Sequence, residues 1–170
     1  WDPSVAADSD SRFWIAWTSY RDDDYDVFLK CADGADAKER RLSARGEYDL
    51  HPWGAADESG GVWVAWDSLR LKHHADSGRS TITGANLEDD SEEDHGQRRL
   101  ETSIRLVCLE NGKLFSLPGT DSALAPPEGY RLAHTALPKI SFAPDGTLWV
   151  AFRALGHAEG GKEKGRGKVK

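Results

Sequence analysis

The chain alternates short apolar segments with polar turns, and within each segment the apolar residues recur with the two-residue period of a β-strand. FWIAWTSY at 13–20 is followed by an acidic run and then by DVFLKCA at 26–32. Similar alternation occurs in VWVAW at 62–66, SIRLVCL at 103–109 and LWVAF at 148–152. Short alternating segments separated by turn residues predict antiparallel strands joined by hairpins.

These segments belong to an internal repeat. Residues 3–21, PSVAADSDSRFWIAWTSYR, align without a gap on residues 52–70, PWGAADESGGVWVAWDSLR. A third copy at 138–152, PKISFAPDGTLWVAF, places Trp149 at the position of Trp63. Each copy contains a short first strand, a turn and an alternating second strand, which is the pattern of a β-hairpin.

Two further strands complete the repeating unit. In the first copy the hairpin is followed by a third strand pattern and by a weaker fourth one around KERRLSA. The second copy repeats the third strand, so Cys31 and Cys108 are equivalent, and we expect buried packing for both rather than a reactive thiol. Four-stranded units that repeat at about 40 to 50 residues are the mark of a β-propeller. The sequence therefore predicts an all-β fold: a partial β-propeller of four-stranded antiparallel blades, with two blades and the start of a third.

The repeat also sets the boundaries of the predicted units. The propeller is expected over residues 1–156, with blades at about 3–46, at about 52–121 with an insertion at 71–98, and at 138–155. Residues 157–170 lack apolar periodicity and carry mostly Gly and basic residues, which is typical of a disordered tail. Because a propeller needs at least about four blades and the chain opens on Trp1 without any Met, we expect a fragment of a longer protein.

Composition narrows the possible functions. The 170 residues are 38% hydrophobic with seven Trp, enough for a core in which the tryptophans pack between blades. A net charge of −7 disfavours nucleic acid as a partner, and no segment is long and apolar enough to predict a membrane span. No dinucleotide, Walker or G-x-S-x-G motif appears, so we predict no cofactor and assign no catalytic residue.

Two phrases, PDGTLWVAF and AWTSYRDDDYDVFLK, resemble the repeats of TolB-like six-bladed propellers, and the chain is also similar to the propeller repeats of sialidase-like proteins. AADESGGVWVAWDS, followed by a polar insertion and SIRLVCLENGKL, is similar to the N-terminal propeller of large bacterial proteins of an uncharacterised family. The C-terminal part of those proteins resembles metal-dependent phosphoesterases and would lie outside this chain. We accordingly expect an exported bacterial parent protein, in the periplasm or outside the cell.

Strand direction predicts where a ligand would bind. In a blade of alternating strands, the loop between strands two and three emerges on the same face as the link to the next blade, so the acidic turn and the insertion share one rim. The candidate ligand-binding residues on this rim are Arg21, Asp22, Asp24, Tyr25, Asp67 and Arg70.

Two functions stay open at this point. The first is a binding or scaffold module whose partners are the remaining blades of its parent protein and a carbohydrate or protein ligand on the rim. The alternative is a fragment of a sialidase-like glycoside hydrolase, which would need arginines for the substrate carboxylate, an acid/base Asp and a Tyr nucleophile. Arg21 and Arg70 are equivalent in the repeat, but Arg153 aligns with Asp67, so the repeat supplies no third arginine.

The insertion also contains possible metal ligands: His73, His74, Asp76, Asp89, Asp90, Asp94 and His95. Their spacing matches no known ligand pattern, and acidic segments with Ser and Gly are typical of solvated loops. We therefore predict no metal site in the insertion.

Overall fold

The structure is a computed structural model that describes residues 1–32, 38–43, 46–72, 99–116 and 130–158. These residues contain strands and no helix, which confirms the predicted all-β fold. In chain order the strands are β1 Ser4–Ala7, β2 Phe13–Arg21, β3 Asp24–Cys31, β4 Arg40–Arg41, β5 Tyr48–Ala56, β6 Val62–Lys72, β7 Arg99–Glu110, β8 Lys113–Ser116, β9 Tyr130–Phe142 and β10 Leu148–Ala158. The described residues therefore include no helix long and apolar enough to cross a membrane.

The strands form three antiparallel sheets in chain order. The first sheet has the order β1-β2-β3-β4, the second β5-β6-β7-β8, and the third consists of β9 and β10. Every pairing joins strands that follow one another in the sequence, and none of the sheets closes on itself within the described residues. Each sheet is thus a simple meander, as the hairpin pattern predicts.

In each sheet the same kind of turn joins the first two strands. The backbone amide of the first turn residue donates to the carbonyl four residues later, over 2.9 to 3.0 Å, in the pairs Asp8 to Arg12, Asp57 to Gly61 and Ala143 to Thr147. The fourth turn residue takes a positive φ in all three: 62° at Ser11, 89° at Gly60 and 81° at Gly146. The repeat in the sequence is therefore a repeat of turn geometry.

The first interface lies between the first and second sheets. Its buried apolar residues come from both sheets: Trp14, Ala16, Val27, Leu29 and Cys31 from the first, and Val62, Val64, Trp66, Val107 and Leu109 from the second. Because alternate residues of a strand face opposite sides, Val62, Val64 and Trp66 of β6 lie together in this interface.

The second interface lies between the second and third sheets and uses the other residues of β6 and β7. Ala65, Ile104, Leu106 and Ile140 are buried there, and partly buried side chains surround them, among them Trp63, Leu148, Val150 and Phe152. The second sheet is therefore covered on both faces, which explains why the first part of β6, Val62 to Trp66, consists entirely of apolar residues.

Several boundaries differ from those predicted. β5 begins at Tyr48 instead of at the start of the second copy, and β6 extends to Lys72, inside the expected insertion. β10 continues to Ala158, past the predicted end of the propeller region, while residues 159–170 of the expected tail lie outside the described residues. Backbone pairing, which needs no apolar side chain, extends these strands. Cys31 and Cys108 are buried free thiols, so their predicted packing role is confirmed.

Candidate functional site

The acidic run of the sequence forms a tight turn between β2 and β3. Arg21 pairs with Asp24 in the register, so Asp22 and Asp23 form a two-residue hairpin loop. Both have positive φ, 53° and 63°, which defines a type I′ turn. Asp tolerates this conformation better than most side chains do, which accounts for the choice of residue. The turn places consecutive carboxylates at the end of the sheet.

The turn is fixed to the segment that leads into the second sheet. Asp24 Oδ2 accepts a hydrogen bond from the backbone amide of Gly46 over 2.7 Å. A cleft of about 320 Å³ lies here, lined by Asp22, Asp23, Asp24, Arg41, Gly46 and Tyr48. The turn between strands two and three and the link to the next sheet therefore lie together, in agreement with the strand-direction argument.

Three tyrosines lie beside this cleft and are called the tyrosine cluster: Tyr20, Tyr25 and Tyr48. The ring centre of Tyr25 is 4.8 Å from that of Tyr20 and 5.9 Å from that of Tyr48, and both pairs are tilted. Trp1 contacts Tyr25 from another side, at 5.8 Å. Tyr20 is 55% exposed and Tyr48 40%, so aromatic surface faces solvent next to the carboxylates.

The charge of the cleft is dominated by carboxylates. Arg41 is the one cation among its lining residues, and its guanidinium donates to the buried carboxylate of Asp26. The same guanidinium lies 3.9 Å from Asp24. The charge of Asp23, which also accepts a hydrogen bond from the Tyr20 hydroxyl at 3.3 Å, raises the pKa of Tyr20 above its usual value. The cleft therefore carries a negative potential.

The structure brings Asp22, Asp24 and Tyr25 of the predicted set together at the cleft but gives Arg21 other contacts. The Arg21 guanidinium forms an ion pair with Glu39 and lies 4.2 Å from the ring centre of Phe28. Arg21 Nε also donates to Ser19 Oγ over 3.1 Å. These partners hold Arg21 on the face of the first sheet away from the second.

The other two predicted residues also have partners outside the cleft. Arg70 lies 2.7 Å from Glu47, and Arg105 contacts the same carboxylate at 3.3 Å. Asp67 contacts His51 Nδ1 at 2.9 Å and accepts the backbone amide of Leu137 over 3.2 Å. Asp67 therefore links the second sheet to the third.

A buried carboxyl group lies in the first interface, next in sequence to Tyr48. Asp49 is 1% exposed, and its Oδ1 accepts the indole N–H of Trp66 over 2.7 Å. Its Oδ2 has no hydrogen-bond partner among the described residues. Burial, reinforced by the carboxylates of Glu47 and Asp26, raises the pKa of Asp49 to about 7. This group is therefore neutral in mildly acidic solution and charged in alkaline solution.

Sequence reasoning missed Asp23, Arg41, Gly46 and Tyr48, which line the cleft, and Tyr20 beside it. Tyr20 has a usable signal, because it pairs with Tyr25 across a two-residue turn. Gly46 lies in the link between sheets and Tyr48 begins β5 directly after it, and the path of this link depends on tertiary packing. Arg41 lies on the weakest strand pattern, so nothing in its neighbourhood predicted its direction.

The described residues contain no group of three or more His, Cys, Asp or Glu side chains that could hold a metal ion. Residues 73–98, which include the histidines and aspartates of the insertion, lie outside the described residues. Comparisons of the chain with models of protein families, with curated proteins and with solved structures found no significant match. The case for a function therefore depends on the geometry of the cleft.

Proposed function

We propose that the chain is part of a β-propeller and acts as a binding or scaffold module within a larger, exported bacterial protein. The ligand, a carbohydrate or a protein, would contact the rim that carries the acidic turn and the insertion. The observation that supports this proposal best is the cleft, where the turn between β2 and β3 meets the link into the next sheet beside exposed aromatic rings.

The stacking of the sheets supports the propeller. β5 packs against the first sheet and β9 packs against the second, as consecutive blades would. The opening strands approach closely, since the backbone amide of Gly54 donates to Ser4 Oγ over 2.9 Å. Small residues in opening strands suit the crowded centre of a propeller.

Unequal burial of equivalent tryptophans supports further blades. Trp14 is 9% exposed and faces the second sheet, whereas Trp149, its counterpart in the third copy, is 67% exposed. Neighbours of Trp149 in β10 pack on the second interface, so Trp149 faces the opposite side of the third sheet. In the proposed propeller another blade covers this face, and a crystal structure of the parent protein that places no sheet there would contradict it.

The sialidase-like alternative receives no support from the arginine contacts. Arg21 and Arg70 each pair with a different glutamate, Glu39 and Glu47, and neither lines the cleft. A net negative cleft is also a poor receptor for a substrate carboxylate. The binding module is therefore the function that the geometry supports better.

A glycan array tests the rim assignment. We expect the labelled 170-residue chain to bind a subset of glycans, and Tyr48→Ser or replacement of residues 73–98 by Asn-Gly to weaken that binding at least tenfold. Glu58→Ala is the control, because this exposed residue lies in the turn at the opposite end of β6. If the array detects no glycan, or if Glu58→Ala weakens binding as much as Tyr48→Ser, a carbohydrate site on this rim is ruled out.

A further inference from the structure

Two features of the cleft favour the same kind of ligand, a cation. One is the tyrosine cluster, in which Tyr48 lines the cavity, Tyr20 and Tyr48 are exposed, and Tyr25 packs between them. The other is the turn Asp22–Asp23–Asp24, whose carboxylates line the same cavity. Aromatic faces attract cations through the ring quadrupole, and carboxylates attract them through charge.

The single cation in the lining does not reverse this preference. Arg41 donates to the buried carboxylate of Asp26 and lies 3.9 Å from Asp24, so two carboxylates balance its single charge, and Asp22 and Asp23 add further negative charge. The aspartates of the turn therefore determine the field in the cavity. An anionic ligand would be repelled, and a neutral one would gain nothing from the field.

We infer that this cleft binds an organic ammonium group, with the tyrosine cluster contacting its apolar surface and the carboxylates of the acidic turn balancing its charge. The inference rests on the proposed binding function and names the chemistry of the ligand. A tyrosine cluster alone would suit many apolar groups, and carboxylates alone would suit any small cation. Their combination favours a cation that carries carbon on its surface.

The turn permits a conservative test of the charge. Asp22 and Asp23 have positive φ, and Asn adopts this conformation at least as readily as Asp. The double variant Asp22→Asn, Asp23→Asn therefore removes two charges while it preserves the type I′ turn. Tyr48→Leu is the matched variant for the aromatic contribution, since it keeps an apolar side chain without a ring.

The probes are choline and 3,3-dimethylbutan-1-ol, which have the same shape but differ in charge. Both are titrated into the ¹⁵N-labelled 170-residue chain, and amide shifts are followed by NMR. We expect choline to shift the amides of Asp22 to Tyr25, Gly46 and Tyr48, with a Kd at least tenfold below that of the neutral alcohol. The double Asn variant should raise the choline Kd about tenfold, and Tyr48→Leu about fivefold, with the remaining spectrum unchanged.

Equal affinity for choline and the neutral alcohol, or no choline shift at 100 mM, would overturn the inference. Binding of a neutral glycan at the same amides without any choline shift would overturn it as well, yet would leave the proposed binding module standing. Glucosamine and Nα-acetyl-lysine amide are then compared. Whichever binds with the affinity of choline identifies whether a sugar or a peptide presents the ammonium group.

Discussion

The two interfaces of the second sheet contain buried carboxyl groups with different partners. In the first, Asp49 Oδ1 accepts the indole N–H of Trp66, and Oδ2 has no hydrogen-bond partner among the described residues. In the second, both oxygens of Asp67 contact His51, and one also accepts the amide of Leu137. Burial raises the pKa of both, but at Asp67 the partly exposed His51 opposes the shift. The difference teaches that a cationic or hydrogen-bonding partner limits how far burial raises the pKa of a carboxyl group.

The apolar parts of the interfaces differ as well. The first has a larger set of buried residues, and its Trp66 is 3% exposed. The second has fewer, and its Trp63 is only partly buried. We therefore expect the first interface to contribute most to the stability of the chain, and the tyrosine cluster lies at its end.

The largest expected effect is at Trp66. Trp66→Ala should lower the free energy of unfolding by about 3 to 5 kcal/mol, because it opens a cavity and leaves Asp49 without its donor. Trp149→Ala, at a residue 67% exposed, should cost about 0.5 kcal/mol or less. Urea unfolding followed by circular dichroism measures both. Similar losses for the two variants would show that the first interface does not dominate.

The second prediction concerns pH and Asp49. The folded protein keeps the Asp49 proton up to about pH 7, whereas the unfolded chain releases it near pH 3.8. The stability that this proton provides is complete below the unfolded pKa and is lost as the pH rises through about 7. Relative to Asp49→Asn, the unchanged chain should therefore lose about 2 to 4 kcal/mol between about pH 4 and about pH 8.

Urea unfolding at several pH values tests this difference, which is independent of any constant cost of the substitution. Glu58→Gln, at an exposed carboxylate, is the control and should follow the unchanged chain at every pH. A constant difference between Asp49→Asn and the unchanged chain across this range would mean that Asp49 is already ionised at about pH 4.

The sequence predicted the sheets better than the cleft, for a physical reason. Strands and turns depend on neighbours along the chain, so the copies around Trp14, Trp63 and Trp149 predict three equivalent hairpins, as the structure has them. The cleft depends on where the link before Tyr48 crosses the end of another sheet, which no local pattern specifies. The repeat shows that Arg21 and Arg70 are equivalent positions, but it does not show which partner each side chain finds, so it could not indicate the ion pair of Arg21 with Glu39.

An aspartate fixes one tryptophan against each interface, and this gives the third prediction. Asp8 accepts the indole N–H of Trp14 over 2.9 Å, and Asp57 accepts that of Trp63 over 2.8 Å. Burial opposes the charge of Asp8, but hydrogen bonds from Trp14 and Arg12 outweigh it and hold its pKa below the usual value. Asp8→Ala should therefore cost about 1 to 3 kcal/mol, by urea unfolding at neutral pH.

The third copy allows the opposite substitution, in which the missing aspartate is introduced. Ala143 stands where the other copies have the aspartate, and Trp149 is exposed. Ala143→Asp should recreate the hydrogen bond to Trp149 and shift its fluorescence, with a gain of about 1 kcal/mol or less because the site is in water. A loss of stability in this variant would mean that the third hairpin differs in geometry from the first two.

The smallest expected effect concerns the turn residue with positive φ, where a substitution changes the conformational preference of the backbone without changing the packing. Ser11 has φ 62°, in the region that favours glycine, and the equivalent residues of the other two hairpins are glycines. Ser11→Gly should stabilise the chain by about 0.5 kcal/mol, because relief of backbone strain exceeds the added entropy of the unfolded state. Gly146→Ser is the reverse substitution at φ 81°, where an added Cβ meets no atom within 4 Å, so only conformation can act. Gly146→Ser should cost about 1 kcal/mol. Thermal unfolding measures the stability of both variants. If both variants are stabilised, or both destabilised, the two turns are not equivalent.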